Sequence, residues 1–248
     1  MRTAHDVDVT ELPRRAEELL TDGHRLAPGT GCCAAASSPA ARPLRTLPDP
    51  TRLKSIREDI GEITDLALGH STVSDRFTGT AVLRTAAARE IGCLGYVARA
   101  SGIPDDTRVT HPFTPYGTRL DVPVHDGGDV LARFLVRAEE IAVSFALIEE
   151  FAEGLAAPMA MLAAEPPPGA GAGTGVGAGT GVGLVEGWRG TIATRVALAP
   201  DSTLARVKPV DPSFFNWPAL PVALADTIVP DFPLTDKSFN LSYAGNDL

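Results

Sequence analysis

The chain has 248 residues, of which 44% are apolar, and a formal net charge of −9. That is material for one good core or two small ones, and the dispersed Lys and Arg exclude the clustered basic face that nucleic acid or an anionic membrane surface selects. No window approaches the roughly 20 apolar residues that span a bilayer, and M-R-T-A-H-D-V-D-V-T has no apolar signal region, so the chain reads as cytoplasmic with no direct membrane insertion.

Residues 6–26 suggest a strand and then a helix, capped by Thr10, with Pro13 in its first turn and Gly23 as its stop. Residues 27–50 are rich in proline and small residues, bury too little apolar area to offset the entropy of ordering, and read as a flexible linker. Leu53, Ile56, Ile60, Ile63 and Ala67 then recur at helical spacing, with Gly69 placed to end the helix. A second helix is expected over residues 85–95. The strongest starts at Asp129, an N-cap after Gly127 and Gly128, and carries a wide stripe from Leu131 and Phe134 through Phe145 to Leu155. Arg133, Arg137, Glu139 and Glu140 fall mostly off that stripe, which predicts a solvated or salt-bridged face.

Residues 166–183 contain the unbroken repeat G-A-G-T-G-V. From Gly169 to Gly183 glycine holds only odd positions, whereas G-x-G-x-x-G needs two glycines five apart, so this is no dinucleotide cradle; it reads as a low-complexity linker. Beyond it, residues 190–198 and 204–210 alternate as two strands around the turn Ala199-Pro200-Asp201, a β-hairpin. Ser213 opens a short apolar helix in which Pro218 and Pro221 belong at or before the first turn.

Candidate chemistry is sparse. Cys32, Cys33 and Cys93 form no C-x-x-C pair, and Cys93 in I-G-C-L-G-Y reads as a small buried thiol. His111 and His125 stand apart from other ligand types, so no metal site is expected from them. Asp226, Asp231 and Asp236 read as an acidic or simply solvated end to the C-terminal segment.

Four co-linear stretches carry a resemblance. They are R-F-T-G-T-A-V-L with I-G-C-L-G-Y-V-A-R-A-S-G, G-D-V-L-A-R-F-L-V-R-A-E-E, E-G-W-R-G, and R-V-K-P-V-D-P-S-F-F-N-W-P-A-L through to the C-terminus. Their order resembles the large subunit of nickel-iron hydrogenases of the formate-hydrogenlyase and energy-converting type, and the related quinone-pocket (D-type) subunit of respiratory complex I. The resemblance implies a mainly α fold, a helical bundle with small β-hairpin elements (α+β). It divides the chain into a remnant of an N-terminal small domain (1–26), the linker 27–50, a helical core (51–165), the Gly-rich linker 166–183, and a C-terminal hairpin plus helix completing the core (184–248).

Working hydrogenases of this type hold nickel and iron with two C-x-x-C pairs, since soft metals call for thiolates. Here N-L-S-Y stands at the terminal pair, so Asn240 and Tyr243 take the ligand positions; the first pair has no counterpart before Leu53, and no removable C-terminal extension is expected. Arg189 matches the arginine that points at the active site in metal-bearing relatives. The alternative is a structural ion pair with Glu186. The resemblance therefore implies a vestigial site at Glu186, Arg189, Asn240 and Tyr243, with Arg189 as the catalytic-type cation and no metal ligand among them. It implies no cofactor on this chain itself, against a family-level NiFe centre and NAD(P)H and quinone at the level of the complex. Implied partners are an iron-sulfur small subunit and membrane subunits, on the inner face of the cell membrane. A structural or assembly subunit, or a truncated non-functional product, is the alternative reading.

Overall fold

The structure is a computed structural model and describes residues 49–112, 116, 120–156, 178–201 and 203–246. The expected elements in residues 6–26, residues 27–48 of the expected linker, and Cys32 and Cys33 lie outside these residues, while the linker's last two residues, Asp49 and Pro50, cap and open a helix.

The first helix, α1 (Pro50–Gly69), starts where Asp49 accepts the Thr51 amide at 3.0 Å and proline occupies the first turn. A short α2 (Ser71–Phe77) follows. The helix expected over residues 85–95 ends early, as α3 (Thr85–Ile91), and a separate helix, α4 (Gly95–Ala100), begins where it was expected to stop. Gly92 ends the first in the left-handed conformation, φ 79°, ψ 41°, and takes its amide back to Ala88 and Arg89. After a single turn, α5 (Thr107–Thr110), the chain enters α6 (Val130–Ala156). Asp129 caps α6 as expected, accepting from Ala132 at 2.7 Å, and its other oxygen accepts from Gly79 at 2.8 Å. The cap therefore also ties the α2–α3 loop to the head of α6.

Three antiparallel strands follow in the order β1 (Gly179–Gly187), β2 (Gly190–Leu198) and β3 (Leu204–Val210). The expected hairpin is β2–β3, and β1 adds a strand whose first half lies within the expected 166–183 linker. Gly179 pairs with Leu198, Gly181 with Val196 and Gly183 with Thr194, so residues 179–183 are sheet rather than linker. Glycine lowers strand propensity, yet a register set further along the strand by Val185 opposite Ile192 extends outward over these residues. The C-terminal segment breaks into α7 (Ser213–Asn216), α8 (Ala219–Leu224), a 3₁₀ turn (Val229–Asp231), α9 (Phe232–Phe239) and α10 (Tyr243–Asn246). Pro218 sits at the start of α8, as its missing amide requires.

Every residue of α4 is buried. It packs against α6, with Leu83, Val97 and Val136 fully enclosed beside Leu220 and Phe239 from the C-terminal segment. Burying each such side chain contributes about 1.5–3 kcal/mol. Arg133 corrects the solvated-face expectation. It is fully buried, donates to Ser238 at 2.9 Å, Gly128 O at 2.7 Å and Ala81 O at 3.0 Å, and lies 4.3 Å from the Phe239 ring centroid. Glu140 is buried too, whereas Glu139 remains exposed and pairs with His125 at 3.0 Å.

Candidate functional site

β1 and β2 are joined by a tight turn in which Gly187 pairs with Gly190, leaving Trp188 and Arg189 at its tip. This tip is pressed onto the start of α4. A Cβ on Gly95 (φ 60°) would lie 2.3 Å from the Arg189 carbonyl oxygen, and one on Gly190 (φ 127°) would lie 2.8 Å from the Gly95 nitrogen. Glycine at both positions is thus dictated by backbone conformation and by close approach. Asn216 closes the joint, accepting from the Leu94 amide at 2.9 Å while its own amide donates to Leu94 O at 3.2 Å and Arg189 O at 3.4 Å.

The joint aims Arg189 at the C-terminal turn. Its Nε donates to the Asn240 carbonyl. Asn240 ends α9 in the left-handed conformation, φ 43°, ψ 46°, one of the few non-glycine residues suited to it. Tyr96 reinforces the same turn by donating to the Phe239 carbonyl, and burial pushes its hydroxyl up to about 12. Arg137, from α6, stands 5.6 Å from the Tyr96 ring centroid and 5.5 Å from that of Trp188, so one cation bridges two aromatic faces. Beyond the turn, Ser242 receives from Gly245 and donates its amide to Ser213. Tyr243 is exposed, its ring centroid 5.0 Å from that of Trp217.

Of the four site residues expected from sequence, the structure brings Arg189 and Asn240 into contact. Tyr243 stands on the outer face of the same turn. Glu186 points away, and the expected Glu186–Arg189 ion pair is absent: Glu186 pairs with Arg99 at 3.2 Å and accepts from the Thr107 amide at 3.0 Å. The reason is strand geometry, since Glu186 sits opposite Thr191 within the paired strand while Arg189 projects from the tip. Sequence reasoning also passed over Arg99, whose signal was a lone charge inside an apolar run of small residues, the pattern of a buried paired cation. Asp231, expected at a solvated acidic end, is buried and pairs with Arg76 at 2.5 Å.

A nickel-iron group does not fit the described residues. The Asn240 carbonyl is engaged by Arg189, and neither an amide nor a phenol offers the soft donor such metals need. Cys93 is buried, burial pushes its thiol up to about 11, and among the described residues it has no second thiol beside it with which to clamp a soft metal. Among the described residues no group of three or more His, Cys, Asp or Glu is placed to hold a metal ion.

A helical core, a three-stranded sheet and an arginine-bearing turn facing a C-terminal left-handed turn form an architecture that known subunits of respiratory complexes resemble. Residues 50–168 match the family described as respiratory-chain NADH dehydrogenase, 49 Kd subunit. The D subunit of NADH-quinone oxidoreductase from Geobacillus thermodenitrificans is 31% identical over 175 residues, which cover 68% of this chain and 45% of the relative. Formate hydrogenlyase subunit 5 of Escherichia coli is 28% identical over 196 residues, 78% of this chain and 33% of the relative. The chain thus spans less than half the length of either. A chain in the structure of the membrane-bound sulfane sulfur reductase, an archaeal respiratory membrane complex, shares the fold at TM-score 0.69 and 22% identity, over 80% of this chain and 54% of that one. The mainly helical α+β fold expected from sequence stands. No helix among the described residues is long and apolar enough to cross a membrane.

Proposed function

We propose that this chain is a large-subunit-type component of a membrane-associated oxidoreductase complex of the NADH-quinone oxidoreductase or hydrogenase kind, without a nickel-iron centre of its own. The observation that carries the reading is the Arg189–Asn240 contact. The arginine-bearing turn and the C-terminal turn meet as a site would require, but the groups there are a guanidinium and a main-chain carbonyl engaged with each other. That arrangement locks two segments together and supports a reading in which this turn holds no soft metal. In this reading electrons from NAD(P)H or a comparable donor pass through an iron-sulfur small subunit towards quinone or protons, and the present chain positions that subunit on the inner face of the cell membrane.

Exposed apolar side chains support a scaffolding role. Ile63 and Leu66 on α1 and Ile148 and Phe151 on α6 face solvent on long helices that pack on each other, the kind of surface a partner covers. The test is affinity purification of the full chain from detergent-solubilised membranes of its host, followed by mass spectrometry. An iron-sulfur subunit and membrane subunits in constant ratio to the chain are expected; a chain recovered alone, at normal abundance, overturns the reading.

A further inference from the structure

Lys and Arg are dispersed along the sequence, but strand pairing gathers three of them on the sheet, away from the Arg189 turn. Arg195 on β2 stands directly opposite Lys208 on β3, and Arg206 on β3 stands opposite Ala197, the next residue of β2 on the same face. All three cations are exposed. They line one concavity of about 180 Å³, with Ala197 between them. In a chain of net charge −9, such a concentration of positive charge is not a general property of the surface.

Like charges directly opposite each other destabilise a strand pair, so the arrangement costs the bare hairpin stability. Among the described residues no carboxylate pairs with Arg195 or Arg206. Glu186, an acid on the same face of β1, is committed to Arg99 at 3.2 Å and to the Thr107 amide at 3.0 Å, and Asp201 in the β2–β3 turn accepts from the Thr203 hydroxyl at 2.7 Å. What would relieve the repulsion is an anion in the hollow. Two guanidinium forks and an ammonium suit a tetrahedral oxyanion, because each fork can donate two parallel N–H groups to phosphate oxygens while lysine adds a point charge. A nucleic-acid backbone calls for a row of cations, whereas these converge on one place. The hollow is also smaller than the roughly 300–1,000 Å³ of pockets that take drug-sized ligands, which leaves room for a single phosphate group.

We infer that this face of the β2–β3 hairpin binds one phosphate group, free or at the end of a lipid headgroup, through Arg195, Arg206 and Lys208. Binding replaces repulsion between the cations with charge-assisted hydrogen bonds, so it also stabilises the hairpin. The site is open to solvent, and its affinity therefore falls as salt rises. The inference rests on these residues alone and does not depend on the oxidoreductase reading.

Two binding measurements on the full chain test it and separate the two sources: equilibrium dialysis with inorganic phosphate, and co-sedimentation with phosphatidylcholine vesicles with and without phosphatidylglycerol. Saturable binding of a single phosphate per chain is expected, and Arg195→Gln and Arg206→Gln should each weaken it by about tenfold or more. Sedimentation with the anionic but not the neutral vesicles, lost in the same variants, assigns the phosphate to a lipid headgroup. Phosphate binding without sedimentation assigns it to a free anion. No binding in either arm overturns the proposal, as does binding that both variants retain at wild-type strength. Each substitution removes a like charge from an exposed face, so circular dichroism melts without phosphate should be unchanged or raised; should one variant not fold, the other decides.

Discussion

Arg133 shows what one buried cation does here. It binds carbonyls at the end of the α2–α3 loop and before α6, a hydroxyl on α9, and the Phe239 ring, so three segments share one side chain. Burial lowers its pKa to about 10, which still leaves it charged at neutral pH. Arg133→Ala opens a cavity and orphans the Ala81 carbonyl, a loss of about 3 kcal/mol in urea unfolding; a loss below about 1 kcal/mol contradicts this account of the core. Glu186 sets a pH signature. Its folded-state proton affinity exceeds the unfolded one, so its contribution to stability is complete below the ordinary carboxylate range and is lost as pH rises through the raised folded value. The Glu186→Gln variant lacks that slope, which a series of unfolding curves against pH measures. Cys93, at about 11, supplies about 100-fold less thiolate near pH 8 than a thiol titrating at 9.0. Alkylation mapped by mass spectrometry should therefore label Cys93 far more slowly in the native than in the unfolded chain; equal rates argue against its burial.

At the scale of elements, the joint between α4 and the β1–β2 turn decides whether the site exists. Gly190→Ala forces a Cβ against Gly95 and Leu94 in a left-handed-side conformation, a cost of about 2–4 kcal/mol. Circular dichroism melts should show the loss, and an unaltered melting temperature contradicts the close approach. How far each element was legible in sequence follows from the range of its signals. The Asp129 cap and the end of α1 at Gly69 are local chemistry and stand as read. The break of residues 85–95 at Gly92 was also local, but the apolar pattern on both sides concealed it. The Gly-rich half of β1 could not be read from composition, because its pairing is dictated by β2. Arg133 was misassigned, and the burial of the salt-bridged Glu140 was missed, because α6 is covered by α4, α9 and α1 around much of its circumference, so its buried face is wider than the apolar stripe. Arg189 and Asn240 were found through the resemblance of E-G-W-R-G and the C-terminal segment, whereas Glu186, three residues from Arg189, was assigned to the wrong partner because its actual partner, Arg99, lies 87 residues away on α4.

At the scale of the whole molecule, a helical core that matches the 49 Kd subunit family model is joined to a sheet, with apolar residues exposed on its helices among the described residues. Arg57 on α1 pairs with Glu149 on α6 at 2.5 Å and lies 5.3 Å from the Phe145 ring centroid, so the two helices are held together while their outer apolar residues stay exposed. Under the proposed function an assembly covers that surface and the chain carries no nickel-iron centre of its own, since among the described residues no group is placed to hold a metal ion beside the Arg189 turn. The most direct test of that claim is nickel and iron analysis of the chain purified within its native complex, with paramagnetic resonance on the same sample. The account predicts nickel far below stoichiometry and only the signals of the partners' iron-sulfur clusters. Nickel at about one atom per chain, with a nickel-centred signal that disappears in Arg189→Ala, would contradict it.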